Sequence, residues 1–464
     1  MESLPPSLSS PASDPVPTDA DRYPTLTPAG RRLLDFMKEH PHAPIYRNES
    51  GNRLTAEEVG QVRQFEAEMA VTPIDWRPGS PPRWLEDFTR QVYAEVPHYQ
   101  RLGSPPLQFT DIPTVSRADL SRNIAAFVPD PVPLDRLINF RTSGTSGHPL
   151  LLASHPVVAA SYLAFHQRAL KRFGIKLLAG TGEVGVVLLG HQTTCFTYVS
   201  VTPTMGEAGL AKINLHPADW RDPADRARYL DDLKAEVYAG DPISFAELLN
   251  LPVQWHPKAL LSTSMALLPG LRQRLEDRFL CPVLDLYSMN EAGPIAVADP
   301  AAGGHVLLQP RMYVEILDDD DQPLPPGTRG EITLTGGFNF CLPLLRYRTG
   351  DHAALDFSGP EPMLTGLSGR PPVRYRTRSG EWINNIEITH ALRPFAMPQW
   401  TVHQDMTGFV TLTHAGMDSM NPQLTEILQT LFGADQPLKI QQSQFLEGKV
   451  VQYTTDLTDD PAAT

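Results

Sequence analysis

The sequence has few cysteines and a deficit of basic residues. Its three cysteines, Cys195, Cys281 and Cys341, lie far apart and form no CxxC pair, so they fit neither a disulfide framework nor a zinc site. We expect them to be buried apolar residues in a reducing compartment. Lys and Arg number 39 against 53 Asp and Glu, for a formal charge of −14. Nucleic acid and anionic membranes are therefore poor partners, and an anionic ligand requires locally arranged donors.

The sequence also lacks a long apolar run and a secretory leader. No uninterrupted run approaches the ~20 apolar residues of a membrane-spanning helix. Met1-Glu2-Ser3 leads into prolines, without the basic and apolar regions of a signal peptide. Hydrophobic residues make up 41% and charged residues 20%, as is typical of a soluble globular protein. We therefore expect a cytoplasmic monomer or homodimer with no membrane or nucleic-acid partner.

Composition and periodicity divide the 464 residues into three segments. Residues 1–22 are rich in Pro, Ser and Asp, and we expect a disordered tail. Residues 23–369 alternate helical and strand-like patterns, which predicts a large domain of layered α/β subdomains with a largely parallel sheet. From residue 305 to 355 the pattern changes to strands and turns and indicates a β-rich subdomain. Residues 370–464 suffice for a small, mobile α+β C-terminal domain.

Apolar spacing, with proline at the start of several helices, predicts the individual elements. The predicted helices are 31–39, 56–70, 84–95, 157–173, 223–237 and 269–279. The predicted strands are 184–189, 258–261, 282–286, 305–309, 313–317, 330–334 and 344–347. Residues 180–185 match the GxGxxG pattern of dinucleotide-binding folds. They precede a strand instead of opening a helix, so we interpret them as a turn.

A run of hydroxyl and glycine residues is the most informative motif in the chain. It comprises Thr142, Ser143, Gly144, Thr145, Ser146 and Gly147. Glycine lets backbone N–H groups turn inward to form an anion-binding concavity, and the hydroxyls add donors for phosphate oxygens. For an isolated run of this composition, a flexible surface loop is the alternative.

Three further motifs follow this glycine loop: Tyr287-Ser288-Met289-Asn290-Glu291, Arg346-Tyr347-Arg348-Thr349-Gly350-Asp351 and Gly369-Arg370. In their order and approximate spacing they resemble those of the adenylate-forming (ANL) superfamily. The whole chain resembles the phenylacetate–CoA ligase-like branch of that superfamily. The segments 96–99 and 111–114 extend the resemblance towards the N-terminus.

The resemblance implies a site for ATP and AMP. The glycine loop and Asn290 would bind the phosphates, and Tyr287 would stack on the adenine. Asp351 would accept both ribose hydroxyls, a role that suits the two oxygens of a carboxylate. Taken alone, Tyr287 is equally consistent with a tyrosine of the core.

The resemblance also implies the catalytic groups. Glu291 would hold Mg²⁺, since a hard cation prefers oxygen ligands. Arg370 would reach the ribose or a phosphate near the hinge between the domains. Lys449 would stabilise the attacking carboxylate and the α-phosphate, and Lys439 is the second candidate for this lysine. Each of these charged residues, taken alone, is also consistent with a solvated surface group.

Several positions depart from the pattern of the superfamily. His148-Pro149-Leu150 lacks the lysine that is common there, Asn290 replaces a threonine, and Ser264-Met265 replaces Gly-Glu. Pro371-Pro372 follows Gly369-Arg370 where an acidic hinge residue is usual. Because proline fixes φ, these two residues are expected to stiffen the hinge and restrict rotation of the small domain.

The implied reaction is ATP-dependent activation of a carboxylic acid to an acyl-adenylate, with release of pyrophosphate, followed by acyl transfer to a thiol. By analogy the acid is aryl or arylacetic, and His191, Phe196 and Thr197 align with the stretch that borders the acyl pocket. CoA or the phosphopantetheine of an acyl carrier protein would supply the thiol. An amide- or ester-forming synthetase that uses an amine or alcohol stays open, as does a catalytically degenerate nucleotide-binding protein. A compact, altered ligase of this kind suits secondary metabolism.

Overall fold

The computed structural model describes residues 17–141, 151–192, 195–369, 373–392, 394–397, 399–443 and 453–457. In these ranges the α-helices are α1 (Asp19–Arg22), α2 (Pro28–Glu39), α3 (Ala56–Val71), α4 (Trp84–Glu95), α5 (Pro97–Gln100), α6 (Arg117–Arg122), α7 (Pro156–Arg172), α8 (Asp225–Leu233), α9 (Pro242–Asn250), α10 (Pro269–Phe279), α11 (Asn385–Leu392) and α12 (Asn421–Phe432).

The strands of the first half are β1 (Val115–Ser116), β2 (Ile138–Arg141), β3 (Leu151–Ser154), β4 (Val184–Gly190), β5 (Tyr198–Thr202), β6 (Ala208–Asn214), β7 (Val237–Gly240), β8 (Ala259–Ser262) and β9 (Val283–Met289). Those of the second half are β10 (Gly293–Asp299), β11 (Gly304–Leu307), β12 (Met312–Leu317), β13 (Gly330–Gly336), β14 (Leu344–Asp356), β15 (Met363–Gly369), β16 (Arg374–Arg376), β17 (Trp382–Asn384), β18 (Trp400–Gln404), β19 (Val410–His414), β20 (Leu438–Gln442) and β21 (Tyr453–Thr455).

A large sheet changes character along its width. In the order β6-β4-β7-β8-β9 its strands are parallel, with β5 antiparallel at the edge. From β9 onward, through β10, β11, β15, β14, β13 and β12, neighbouring strands are antiparallel. Strand β9 therefore pairs in parallel on one side and antiparallel on the other. The predicted α/β layers and the β-rich subdomain are both confirmed.

Helices cover both faces of the parallel half, which is why its strands are almost continuously apolar. On one face, Leu248 of α9 and Leu275 of α10 share a buried core with Leu260 of β8. On the other face, Phe165 of α7 lies in a separate buried cluster with Leu284 of β9. Parallel strands open ligand crevices at their carboxyl ends, so the chemistry of the chain is expected beyond the ends of β4, β7, β8 and β9.

The strands that flank the glycine loop form an antiparallel pair. Strand β2 pairs with β3, and Arg141 lies opposite Leu151. The predicted phosphate loop connects these two strands and lies outside the described residues.

The C-terminal region forms a smaller α+β domain with a sheet of its own, in the order β20-β19-β18-β21. Trp400 and Val402 of β18 pack with Leu424 and Leu428 of α12 in a separate core cluster. That cluster also includes Leu268, immediately before α10 of the large domain. The small domain therefore contacts the large one at the start of α10.

Three expectations differ from the structure. Helix α1 lies inside the segment expected to be a disordered tail, because Thr18 and Asp21 form a reciprocal capping box. The helix predicted over 223–237 is shorter: α8 ends at Leu233, Lys234 adopts a left-handed conformation, and β7 begins at Val237. Cys281 and Cys341 are buried, whereas Cys195 is only half-buried.

None of the helices that the structure describes is long and apolar enough to cross a membrane.

Candidate functional site

A tyrosine and an aspartate from distant motifs meet at the junction between the two halves of the sheet. Tyr287 lies near the end of β9, and its phenol donates a hydrogen bond of 2.8 Å to Asp351 Oδ2 on β14. Burial raises the pKa of Tyr287 well above its usual value, and the negative charge of Asp351 acts in the same direction. The phenol therefore stays protonated and remains a donor at physiological pH.

The backbone around Asp351 is fixed by a tight bend inside β14. Gly350 has a φ of +79°, a conformation that favours glycine, and its N–H donates to Glu331 Oε1 at 2.8 Å. The hydroxyl of Thr349 donates to the carbonyl of Ile332 at 2.8 Å and accepts from the N–H of Asp351 at 3.1 Å. The RTGD sequence thus presents the aspartate from a rigid support.

The first arginine of the same motif, Arg346, has structural partners. Arg346 is 1% exposed, and its guanidinium donates to the carbonyls of Thr110, Ile112 and Asp321 at 2.6–2.9 Å. It also pairs with Glu315 at 3.3 Å. Arg346 therefore holds the segment before β1 against β14.

This attachment sets the position of Arg117. Strand β1 pairs in parallel with β14, so that Val115 lies opposite Tyr347 and Ser116 opposite Arg348. Arg117, the first residue of α6, comes directly after this pairing, and its guanidinium forms an ion pair with Glu291. Sequence reasoning missed this contact because it depends on a register between residues more than 200 positions apart.

Glu291 is buried, with 2% of its surface exposed. Its Oε1 accepts from Arg117 and, at 3.2 Å, from the phenol of Tyr347. Burial raises the pKa of Tyr347 well above its usual value, and the negative charge of Glu291 adds to this effect. The Tyr287–Glu291 motif and the RYRTGD motif are therefore joined twice, through Asp351 and through Glu291.

The neighbouring Asn290 has an exposed side chain. Its backbone carbonyl accepts a hydrogen bond of 3.0 Å from the phenol of Tyr162 on α7. Burial, aided by the charge of Glu291, raises the pKa of Tyr162 to about 12. Helix α7 is thereby fastened to the turn after β9, while the Asn290 amide stays accessible to a ligand.

Asp285 is a second residue that sequence reasoning missed. It lies two positions before Tyr287 in β9 and therefore on the same face of the strand. Burial raises its pKa to about 7, although the Arg272 guanidinium and the Leu267 N–H act in the opposite direction. The available signal is a carboxylate in the apolar strand Val283-Leu284-Asp285-Leu286-Tyr287, where apolar residues alone are expected.

The three residues expected at the acyl pocket lie in different environments. His191 directly follows β4, its ring centroid is 5.7 Å from that of His216, and burial lowers its pKa. Phe196 is 50% exposed. Thr197 is fully buried, and its Oγ1 accepts from the backbone N–H of Arg47 at 3.1 Å. Only His191 lies at the carboxyl end of a parallel strand.

The remaining predicted residues fall into two groups. The loop Thr142 to Gly147, together with Arg370 and Lys449, lies outside the described residues. Lys439, the second candidate for the catalytic lysine, is exposed on β20 of the small domain.

Few of the described side chains near this site could bind a metal ion. Within the described ranges, no group of three or more His, Cys, Asp or Glu side chains is placed to hold an ion. Glu291 offers one carboxylate, and both of its hydrogen bonds fall on Oε1. A single carboxylate fits Mg²⁺, which commonly takes one or two carboxylates and completes its shell with water and substrate phosphates.

These features define an α/β protein in which polar and carboxylate side chains gather near the end of the parallel strand β9. The model of the AMP-binding enzyme family matches residues 104–340, just over half of the chain. The chain belongs to this family, and its resemblance to the ANL superfamily is confirmed.

Two relatives are CoA ligases. The chain is 34% identical over 163 residues to the oxalate–CoA ligase of Saccharomyces cerevisiae, covering 30% of this chain and 29% of the relative. It is 24% identical over 299 residues to the phenylacetate–coenzyme A ligase of Aromatoleum evansii, covering 58% and 64%. The chain thus spans less than two thirds of the length of either relative.

The fold is shared with solved ligase structures. A 2-hydroxyisobutyryl-CoA ligase in the postadenylation state, in complex with 2-HIB-AMP, superposes with a TM-score of 0.62 at 18% identity. The match covers 84% of this chain and 92% of that one. An open conformation of a 2-hydroxyisobutyryl-CoA ligase, with 2-HIB-AMP and CoA, gives a TM-score of 0.51 over 80% of this chain and 89% of that one. At this identity the likeness defines the fold.

Proposed function

We propose that this protein is an AMP-forming acid–thiol ligase. In the first half-reaction an oxygen of the substrate carboxylate attacks the α-phosphorus of ATP, and the bond from that phosphorus to the bridging oxygen breaks. The products are an acyl-adenylate and pyrophosphate. In the second half-reaction a thiol attacks the acyl carbon and loses its proton, and AMP leaves.

The hydrogen bond between Tyr287 and Asp351 carries this proposal. It brings together an aromatic ring and a two-oxygen acceptor, the chemical pair that an adenosine needs for its base and its ribose diol. The two residues are 64 positions apart, and Tyr287 lies within the stretch that matches the AMP-binding enzyme family. We assign adenine stacking to Tyr287 and the ribose hydroxyls to Asp351.

We assign the phosphates to the loop from Thr142 to Gly147 and to Asn290, and Mg²⁺ to Glu291. When bound, the ion would neutralise charge on the phosphates. The carboxylate of Glu291 supports this assignment, because a hard cation prefers oxygen ligands. Lys449 and Arg370, beyond the predicted domain boundary at 369/370, remain our candidates for stabilising the reacting carboxylate and the α-phosphate.

The acid and the acceptor are argued from relatives. A phenylacetate–coenzyme A ligase is among them, which supports an aryl or arylacetic acid near His191. The oxalate–CoA ligase is the other. Both are named for CoA, which supports a CoA thiol as the acceptor over a carrier protein, an amine or an alcohol.

Exchange of labelled pyrophosphate into ATP tests the first half-reaction. A panel of aryl, arylacetic and short aliphatic acids should reveal acid-dependent exchange. Lys449→Ala should reduce it by about 100-fold or more, as expected for loss of a charged transition-state contact, whereas the matched variant Lys439→Ala should retain it. Absence of exchange with every acid, despite ATP binding, would support a degenerate nucleotide-binding protein. Mass analysis after addition of CoA, amines or alcohols identifies the acceptor.

A further inference from the structure

The carboxylate that we assign to Mg²⁺ already has a cationic partner. Glu291 is 2% exposed, and its Oε1 accepts from the Arg117 guanidinium and from the Tyr347 phenol. The Arg117 side chain is 23% exposed, so it reaches Glu291 from the solvent side. The carboxylate therefore already has a compensating positive charge.

A guanidinium and a divalent cation repel each other at one buried carboxylate. Like charges at such distances interact strongly because little water separates them. The other partner of Glu291, the Tyr347 phenol, is a neutral hydrogen-bond donor, so it does not relieve this repulsion. Although the two hydrogen bonds to Glu291 fall on Oε1, Arg117 therefore opposes metal binding to this carboxylate for as long as it stays in place.

The backbone allows Arg117 to move without a domain motion. Val115 and Ser116 are fixed by their pairing with β14, and Ser116 forms a capping box with Asp119 at the start of α6. The long Arg117 side chain extends from this fixed base, and it is partly solvated. Withdrawal of the guanidinium from Glu291 is therefore a movement of a side chain on a fixed backbone.

We propose that Arg117 competes with the divalent cation for Glu291, so that the site accepts the metal only together with a nucleotide. In the nucleotide-free protein the ion pair excludes the metal. The negative charge of a bound nucleotide offers the guanidinium another partner, and Glu291 becomes available. Arg117 is then a positioning residue that couples metal binding to nucleotide binding. This inference rests on the proposed function, because it takes Glu291 as the metal ligand.

Binding of Mn²⁺, measured by electron paramagnetic resonance without nucleotide, tests the competition. The full-length protein should bind Mn²⁺ weakly, and Arg117→Gln should bind one ion about tenfold or more tightly, within the usual range of coupling between sites. The matched control is Arg122→Gln in the same helix, where the side chain is 76% exposed and pairs with Asp119. It should behave like the unmodified protein.

Three further variants keep the test decisive. Arg117→Lys keeps the positive charge and should keep Mn²⁺ binding weak. Arg117→Met is neutral and takes the place of Arg117→Gln if that variant fails to fold. The double variant Arg117→Gln/Glu291→Gln should lose the gained affinity. Addition of a non-hydrolysable ATP analogue should increase the Mn²⁺ affinity of the unmodified protein and narrow its difference from Arg117→Gln.

The proposal is overturned if the neutral variant, Arg117→Gln or in its place Arg117→Met, shows no gain in nucleotide-free Mn²⁺ affinity, or if Arg117→Lys gains as much as the neutral variant. It is also overturned if the gain survives loss of the Glu291 carboxylate. Neither measurement needs turnover, so its failure is distinct from failure of the proposed ligase, which pyrophosphate exchange reports.

Discussion

The phenol of Tyr287 donates a hydrogen bond of 2.8 Å to the carboxylate of Asp351. It links β9, where the large sheet changes from parallel to antiparallel pairing, to the bend in β14 that carries the RTGD sequence. The two side chains therefore support each other. Asp351 keeps the phenol from rotating, and the phenol holds one carboxylate oxygen in place.

Replacement of Tyr287 by phenylalanine should weaken ATP binding. The ring for base stacking remains, but Asp351 loses a donor worth about 0.5–1.5 kcal/mol, so we expect the Kd for ATP to rise about 3- to 10-fold. Titration calorimetry measures this directly.

Tyr23→Phe is the matched control, because the Tyr23 phenol is also buried and donates to the carbonyl of Val199 at 3.1 Å, in another part of the large domain. ATP affinity should be unchanged in this control. An equal loss in both variants would mean that the effect of Tyr287→Phe comes from general destabilisation.

The sequence alone predicts this pair only through the resemblance of its motifs. The end of β9 is recognisable as a buried apolar strand followed by polar residues, and Gly350 marks the bend before Asp351. Which residues lie opposite β9 and the RTGD sequence depends on the register of strand pairing. The pairing of β1 with β14 brings Arg117 to Glu291, and no local pattern specifies a parallel pairing across such a separation.

Local patterns also misplace one boundary. The spacing of apolar residues after Pro223 continues past Leu233, so a single helix to residue 237 is predicted. In the structure Lys234 has a φ of +48°, which ends α8, and Val237 enters the buried strand β7 next to β4 and β8. The tertiary sheet decides this boundary, because Val237 can be buried in either element.

Asp285 should make the stability of the protein depend on pH. Burial raises its pKa from the usual 3.8 to about 7, so folding favours the protonated form. The stability that protonated Asp285 contributes is fully present below about pH 4 and is lost as the pH rises to about 7. Asp285→Asn mimics the protonated acid. It should match the unmodified protein near pH 4 and be more stable at pH 8 by about 2 kcal/mol, allowing for screening at a side chain that is not fully buried.

Denaturant unfolding at pH 4 to 8 measures this difference. Asp356→Asn is the control at the end of β14. A hydrogen bond from the N–H of Ser358, with other contacts to Ser358, lowers the pKa of Asp356 below 3.8, so it is ionised in both states from pH 5 to 8. Its effect on stability should be constant over that interval. A constant effect of Asp285→Asn as well would contradict the raised pKa.

Gly270 is the point at which a methyl group should disturb the contact between the two domains. It lies in the first turn of α10, next to Leu268, which is buried in the core of the small domain. A Cβ atom at Gly270 would lie 2.8 Å from the carbonyl oxygen of Pro394 and 2.9–3.0 Å from backbone atoms of Phe395 and Ala396. Backbone atoms cannot move aside as a side chain can.

Gly270→Ala should therefore destabilise the protein by about 1–3 kcal/mol, as overpacking does elsewhere, although alanine is the better helix former. Gly60→Ala in α3 isolates the helix-forming effect, because nothing lies within 4 Å of its Cβ, and it should stabilise by up to about 1 kcal/mol. Thermal unfolding gives the sign of the stability change for each variant. Small-angle scattering should show a larger radius of gyration for Gly270→Ala if the small domain detaches. Stabilisation by both variants would mean that the domains do not touch at Gly270 in solution. Because α10 also carries Arg272, which acts on Asp285, loss of this contact would disturb the helix that supports the candidate site.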